Sequence, residues 1–236
     1  MTSIGILETG LPPTDLAARF GRYDAMVRRM LGDRYRYRTY TARSGELPTR
    51  PEDHDAYLVT GSSAGAYEAL PWIPPLEAFI RSAQGRARMV GLCFGHQIMA
   101  QALGGRVEKS DKGWGLGLHR YAVTRAEPWM AGDAGDAARD LAVAASHQDQ
   151  VVVAPDGATV LAASGFTPHA ALLYAGGQAL SFQFHPEFER GMAEALVELR
   201  RPHLPDGAAD RMLASLAAPS DAPRVAGWIR AFLDRP

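Results

Sequence analysis

The 236-residue chain is poor in cysteine, in lysine and in long apolar segments. Its single cysteine, Cys93, cannot form a disulfide within the chain, and a lone thiol is typical of a reducing compartment. The longest apolar run, residues 170–175, has six residues, far fewer than the roughly 20 that cross a bilayer. No basic segment followed by an apolar stretch opens the chain. We therefore expect a cytoplasmic protein without a membrane anchor or a secretory signal.

An excess of charge of one sign is also missing, since 25 basic and 26 acidic residues give a formal net charge of −1. The arginines are scattered, and Lys109 and Lys112 are the only lysines. A nucleic-acid-binding surface would show clustered positive charge, so we predict no nucleic-acid partner. The histidine spacing fits no zinc pattern and a second cysteine is lacking, which predicts no metal site.

Strands and helices alternate in the first hundred residues. Apolar runs at residues 3–7, 56–60 and 88–92 predict buried strands, and residues 35–40 predict a further strand. Helices are predicted from Thr14 or Asp15 to Leu31, over residues 72–83 and over residues 94–103. This order predicts an α/β fold with a doubly wound, mainly parallel sheet and helices on both faces.

The second half of the chain has a different pattern. Short strand candidates after Val107, separated by Gly, Pro and Asp turns, predict an added antiparallel β segment. Gly113–Gly117 is interpreted as a strand turn, and Trp129–Asp140 receives no element. A last strand over residues 180–184 precedes a helix over 192–200. We predict a main domain over residues 1–201, with residues 202–236 as a helical appendage packed on it.

The most informative segment is Gly91-Leu-Cys93-Phe-Gly95, where a predicted strand runs directly into a predicted helix. Gly-x-Cys-x-Gly at such a junction is the nucleophile-elbow pattern with sulfur in place of oxygen. We expect Gly91 and Gly95 where the chains pass too closely for a side chain. The turn would place Cys93 at a helix N-terminus, whose partial positive charge favours a thiolate. A lone cysteine is usually a small buried apolar residue, but this context favours a nucleophile.

A second segment supplies a candidate base for this nucleophile. In an extended strand, Ser181, Gln183, His185 and Glu187 share one face. Pro186 ends the strand because it cannot donate a ladder hydrogen bond. A carboxylate two residues from an imidazole can accept its second N–H and fix the tautomer. Since the carboxyl ends of parallel strands open on one edge, we predict a Cys–His–Glu arrangement there.

Four segments, in this order, resemble the signatures of class I (triad-type) glutamine amidotransferases over about residues 1–200. The resemblance is greatest to the amidotransferase domain of GMP synthetase and its stand-alone relatives, and it implies a flavodoxin-like α/β fold. The segments are Thr60-Gly-Ser-Ser-Ala-Gly-Ala-Tyr-Glu68, Gly91-Leu-Cys-Phe-Gly-His-Gln97, Ala145–Val151 with Pro155-Asp-Gly157 and Ala162-Ala-Ser164, and Phe184-His-Pro-Glu187.

The resemblance implies that Cys93 attacks the carboxamide of glutamine, or another γ-glutamyl bond, and forms a γ-glutamyl thioester. Ammonia or an amine is released. His185 would carry the proton to the leaving group and later activate water, with Glu187 orienting it. The backbones of Gly61 and Phe94 would form the oxyanion hole.

The resemblance also implies a substrate site without any cofactor. Gln97, one helical turn beyond the nucleophile, would hold the carboxamide end of the substrate or support the pocket. The backbone around Ser146, Gln148 and Asp149 would bind the α-amino and α-carboxyl groups of the glutamyl moiety.

Several functions stay open on the sequence alone. The chain resembles a free-standing γ-glutamyl hydrolase or peptidase, or an ammonia-producing subunit that needs a separate synthetase. No nucleotide-binding loop occurs in it, so we expect any synthetase to be a separate partner. A non-catalytic module of the same fold is a further alternative. A thiol-based α/β-hydrolase is disfavoured, because that fold orders its acid before its histidine.

Overall fold

Parallel strands alternate with helices in the first half of the computed structural model, which describes residues 1–130 and 139–235. The strands are β1 Ser3–Leu7, β2 Arg36–Tyr40, β3 Ala56–Val59, β4 Arg88–Leu92, β5 Arg106–Lys109, β6 Gly115–Val123, β7 Leu141–His147, β8 Asp149–Val153, β9 Thr159–Ala163, β10 Ala171–Leu173 and β11 Ala179–Phe182. The helices are α1 Thr14–Phe20, α2 Tyr23–Leu31, α3 Ile73–Ala83, α4 Phe94–Ala102, α5 Arg190–Arg200, α6 Ala208–Ser215 and α7 Ala222–Leu233.

Within these residues, nine strands form one sheet in the order β2-β1-β3-β4-β11-β10-β9-β6-β7. The pairs from β2 to β11 are parallel, and those from β11 to β7 are antiparallel. Strands β5 and β8 pair separately as an antiparallel ribbon. The predicted mixed sheet is confirmed, and its parallel part has the strand order of a flavodoxin-like fold.

Apolar side chains cover both faces of the parallel strands. On one face, Ile4, Leu58 and Val90 pack with side chains of α2 and α7. On the other face, Tyr57 and Met89 pack with side chains of α3 and α4. Helices cover both faces of these strands, which explains why the strands are apolar along their whole length. The sequence predicts this arrangement.

Three local predictions differ from the structure. The helix predicted from residue 14 to Leu31 is broken into α1 and α2 at Gly21, whose φ of +87° is a left-handed value that ends a helix. The residues interpreted as a turn, Gly113–Gly117, partly begin the nine-residue strand β6. Strand β5 has no counterpart among the predicted strands, because Val107 is its only buried residue.

The C-terminal helices share the packing of the rest of the chain. Val225, Trp228 and Phe232 of α7 lie in the same apolar cluster as the parallel strands. Helix α6 packs on β6 and α5 through a smaller cluster that includes Ala209 and Leu116. The division of the chain at residue 201 stays a prediction. Part of the unassigned stretch after Trp129 lies outside the described residues, and no helix in the described ranges is long and apolar enough to span a membrane.

Candidate active site

Cys93 occupies a sharp turn between β4 and α4. Its φ of +52° and ψ of −103° make it the one residue other than glycine with a positive φ in the described ranges. A Cβ on Gly95 would lie 2.2 Å from the carbonyl oxygen of Val59, and one on Gly91 would lie 2.5 Å from the carbonyl oxygen of Gly95. The predicted need for two glycines is therefore confirmed by contact with backbone atoms.

Neighbouring strands fix the two sides of this elbow, which we define as residues 91–95. The N–H of Cys93 donates to the carbonyl oxygen of Phe182 at 2.8 Å, and the N–H of Gly95 donates to that of Thr60 at 3.1 Å. The elbow therefore lies between the ends of β3 and β11. This places Cys93 above the carboxyl edge of the parallel strands, where the sequence predicts it.

His185 reaches the same edge because the chain leaves β4 after Phe182. The last strand ends two residues earlier than predicted, and the N–H of His185 donates to the carbonyl oxygen of Ala144 in β7 at 2.8 Å. Its Nδ1 lies 2.7 Å from Oε1 of Glu187, and its ring stacks on Phe188 with centroids 3.9 Å apart. The imidazole is thereby held in one orientation.

Cys93 and His185 share the small space beside Gly61. A Cβ built on Gly61 would lie 3.4 Å from Cε1 of His185 and 3.9 Å from Cβ of Cys93. All three residues line one cavity. In the described part of the chain, the buried Nε2 of His185 has no hydrogen-bond partner within the protein. A thiol, an imidazole with a free nitrogen and an orienting carboxylate can together carry out nucleophilic catalysis.

The electrostatics of His185 favour its protonated form. Burial by itself lowers the pKa of this imidazole. The negative charges of Glu187 and Cys93 oppose that effect more strongly and raise the pKa to about 10. His185 is therefore positively charged near neutral pH, beside a sulfur and a carboxylate.

Two amide groups are predicted to stabilise an oxyanion: that of Gly61, beside this space, and that of Phe94, the residue after Cys93. In residues 1–130 and 139–235, the N–H groups of Gly61 and Phe94 have no hydrogen-bond acceptor within the protein. The loop around Gly61 is fixed on its other side, since Oγ1 of Thr9 donates to the carbonyl oxygen of Gly61 at 3.1 Å. Two fixed amide groups without acceptors can bind a developing negative charge.

Gln97 joins three elements behind the cysteine. Its Nε2 donates to the carbonyl oxygen of Asp149 at 2.8 Å and to Oε1 of Gln183 at 3.1 Å. Nε2 of Gln183 in turn lies 3.8 Å from Sγ of Cys93. Both amide hydrogens of Gln97 are therefore used within the protein, and which of its two implied roles it has stays a prediction.

Two cavities meet at Cys93. The first has a volume of about 200 Å³ and is lined by the predicted substrate residues Gln97, Ser146, Gln148 and Asp149. The second has a volume of about 440 Å³ and is lined by Gly61 and His185. Sγ of Cys93 lies 3.8 Å from the carbonyl oxygen of Ser146, which lines both cavities. All the predicted site residues except Phe94 and Glu187 thus line a cavity that contains Cys93.

Two other histidines near this region are neutral. Burial lowers the pKa of His96 and of His147 to about 3. Nδ1 of His96 lies 2.7 Å from Oγ of Ser181, away from both cavities, whereas His147 lines the first cavity. Among the described residues, no three His, Cys, Asp or Glu side chains are grouped as metal ligands.

Sequence reasoning assigns no role to several residues that line the site or support it. Gln183 carries a signal, because it shares the polar strand face with His185. Trp114 carries a weaker signal, since it follows the Lys109–Lys112 turn and is the tryptophan most suited to shape the cleft, and it lines the first cavity. Arg200 and Lys109 carry none, because only the fold brings them to the cavities.

Comparison with known proteins gives a family and several relatives for the chain. The family model described as glutamine amidotransferase class-I matches residues 48–198, more than half of the chain. The chain is 26% identical over 200 residues to γ-glutamyl peptidase 4 of Arabidopsis thaliana, covering 82% of this chain and 79% of that protein. It is 40% identical over 101 residues to a glutamine-hydrolyzing GMP synthase of Thermus thermophilus, covering 42% of this chain and 18% of that protein.

A solved structure shows the same fold over the full length. The crystal structure of a glutamine amidotransferase from Thermotoga maritima superposes with a TM-score of 0.74 at 19% sequence identity. The match covers 100% of this chain and 98% of that one. Together with the family match, these findings identify the chain as a member of the class-I glutamine amidotransferase family.

Proposed function

We propose that the protein is a cysteine hydrolase that cleaves the γ-amide of glutamine or of a γ-glutamyl compound. The observation that carries this proposal is the shared cavity of Cys93, His185 and Gly61, with Glu187 on the far nitrogen of the imidazole. The similarity to a γ-glutamyl peptidase supports a γ-glutamyl amide bond as the bond that is cleaved.

In the first half of the reaction, Sγ of Cys93 attacks the amide carbonyl carbon and forms a C–S bond. The carbonyl oxygen becomes an oxyanion that the N–H groups of Gly61 and Phe94 stabilise. When this intermediate collapses, the C–N bond breaks and Nε2 of His185 gives its proton to the departing nitrogen. Ammonia or an amine leaves, and a γ-glutamyl thioester remains.

In the second half, water replaces the amine. Nε2 of His185 removes a proton from the water, whose oxygen attacks the thioester carbon. The C–S bond then breaks, glutamate leaves, and the sulfur regains a negative charge beside the protonated imidazole. Glu187 holds the ring in position and stabilises its positive charge throughout. The backbone at Ser146, Gln148 and Asp149 would bind the amino and carboxyl groups of the glutamyl moiety.

A reactive diazoketone analogue of glutamine tests this function. We expect one adduct per chain, on Cys93, together with release of glutamate from γ-glutamyl amides by the untreated protein. His185→Ala should slow labelling strongly, while His203→Ala, which changes an exposed histidine, should not. Absence of labelling would contradict the catalytic function and leave the alternative of a non-catalytic regulatory module.

A second candidate function is that of a glutaminase subunit for a separate synthetase. The match to a segment that is only a fifth of a GMP synthase supports this alternative. Turnover by the purified chain would favour the free-standing enzyme, and turnover only with an added synthetase would favour the subunit. In either case, we infer a cytoplasmic location, because a lone thiol is typical of a reducing compartment.

A further inference from the structure

The position of His185 tells which cavity receives which half of the substrate. In the proposed reaction, the departing nitrogen must lie within reach of this imidazole. His185 lines the second cavity and not the first, Gln148 and Asp149 line the first and not the second, and Ser146 and Arg200 line both. The glutamyl half therefore occupies the first cavity, and the departing amine extends into the second.

The second cavity is far larger than ammonia requires. Its volume of about 440 Å³ compares with about 30 Å³ for one water molecule in the liquid. Leu11, Leu196 and Leu199 form an apolar part of its wall. A departing group with an apolar side chain would fill this space, and glutamine would leave it empty.

Two basic side chains line this cavity. Its ionisable lining residues are Tyr23, Cys93, His185 and Arg200, and no carboxylate is among them within the described residues. The guanidinium of Arg200 stacks on the ring of Trp114 at 3.9 Å. In the described part of the chain, Arg200 forms no ion pair and its buried Nε has no hydrogen-bond partner.

The neighbouring residue Arg201, unlike Arg200, has its charge paired with two carboxylates. Arg201 is exposed and lies 2.7 Å from a carboxylate oxygen of Glu198 and 2.8 Å from one of Asp210. By contrast, burial lowers the pKa of Arg200, because nearby charges do not offset its loss of water. An anion in the second cavity would supply the missing partner.

We propose that Arg200, held on Trp114, binds a carboxylate on the departing amine. The preferred substrates are therefore γ-glutamyl amino acids with an apolar side chain, rather than glutamine or uncharged γ-glutamyl amides. This inference rests on the proposed function, and it adds a residue that selects the departing group. The planar guanidinium suits a carboxylate because it can donate two parallel hydrogen bonds.

A matched pair of substrates tests the role of Arg200. γ-Glutamyl-leucine and γ-glutamyl-3-methylbutylamide differ only in the carboxylate of the departing amine. For the unmodified chain, we expect kcat/KM to be about 10- to 100-fold higher for the leucine compound, as a charge-assisted hydrogen bond allows. Arg200→Gln should remove most of this preference, because it should lower kcat/KM for the leucine compound far more than for the amide.

Two further variants keep the test specific. Arg201→Gln makes the same change one residue away and should retain the full preference. Trp114→Leu removes the ring under Arg200 and should reduce the preference in part, mainly through KM.

The outcomes separate the two proposals. Equal hydrolysis of both substrates by the unmodified chain would overturn the role of Arg200 and leave the proposed function standing. Equal losses on both substrates in Arg200→Gln would also overturn it, and would place Arg200 with the glutamyl group. If the unmodified chain hydrolyses neither substrate and the diazoketone does not label Cys93, the proposed function itself fails.

Discussion

The elbow around Cys93 and the rim around Arg200 serve the same site but are held in different ways. The elbow spans five consecutive residues and is fixed by backbone contacts that leave no room for one more carbon atom at Gly91 or Gly95. The rim, formed by Lys109, Trp114 and Arg200, comes from separate elements and lies partly in solvent. Its shape depends on side chains stacking on one another.

This difference separates reactivity from selectivity. A change in the elbow moves backbone atoms that several strands share, so it affects folding and chemistry together. A change in the rim alters which substrate is favoured and leaves the nucleophile in place. Substitutions of Gly95, Glu187 and Lys109 test this contrast, and the expected effects decrease in that order.

Gly95→Ala should have the largest effect on stability. Its Cβ would lie 2.2 Å from the carbonyl oxygen of Val59, and backbone atoms cannot move aside as the end of a flexible side chain can. We expect the free energy of unfolding to fall by about 3 kcal/mol or more. Urea unfolding measures this fall, and Gly165→Ala, where a Cβ meets no atom within 4 Å, is the control. Equal stability of the two variants would show that the elbow is not rigid.

Glu187→Gln should reduce kcat roughly 10²- to 10⁴-fold, because the orienting carboxylate of His185 is lost. The variant should also change how stability depends on pH. With its pKa raised to about 10, His185 binds a proton in the folded protein that the unfolded chain releases near pH 6.5. Stability of the unmodified chain should therefore fall as the pH rises from about 6.5 towards 10, and the variant should show a smaller fall.

Urea unfolding at several pH values between about 6 and 10 measures this difference. Glu189→Gln is the matched control, since Glu189 is exposed and lies 2.9 Å from Arg29 rather than from His185. An identical pH dependence in Glu187→Gln and the unmodified chain would contradict the assigned charge of His185.

Lys109→Gln should have the smallest effect. Lys109 is an exposed residue on the rim of the first cavity, so water and salt screen its attraction for a substrate carboxylate. We expect KM to rise by no more than about threefold at low salt, with kcat unchanged and the difference lost at high salt. The control is Lys112→Gln, because Lys112 is the other lysine of the chain and lines neither cavity. A large fall in kcat would show that the rim participates in chemistry.

The elbow can be predicted from sequence because its requirements are local. Gly91, Cys93 and Gly95 lie within one turn, and Pro186 indicates that the last strand ends near His185, although β11 ends at Phe182. The common edge of parallel strands then brings His185 close to Cys93 across about ninety residues. The doubly wound sheet follows from the same alternation of apolar strands and helices.

The position of Arg200 on the rim cannot be predicted, because its sequence signal is that of an ordinary surface residue. A basic residue in the last turn of a helix, as Arg200 is, is favourable at any helix C-terminus. Only the fold places Trp114 beneath it. The break between α1 and α2 escapes prediction for a similar reason, since the apolar spacing continues across Gly21 while the backbone does not.

The positive φ of Cys93 creates a trade-off between the stability of the fold and its catalytic activity. A side chain held at φ +52° costs on the order of 1–3 kcal/mol, and glycine would adopt that conformation without strain. Cys93→Gly would therefore relieve this strain and stabilise the fold, while it removes the reactive sulfur. A selection for thermostable variants of this protein should therefore measure the catalytic activity of each variant as well.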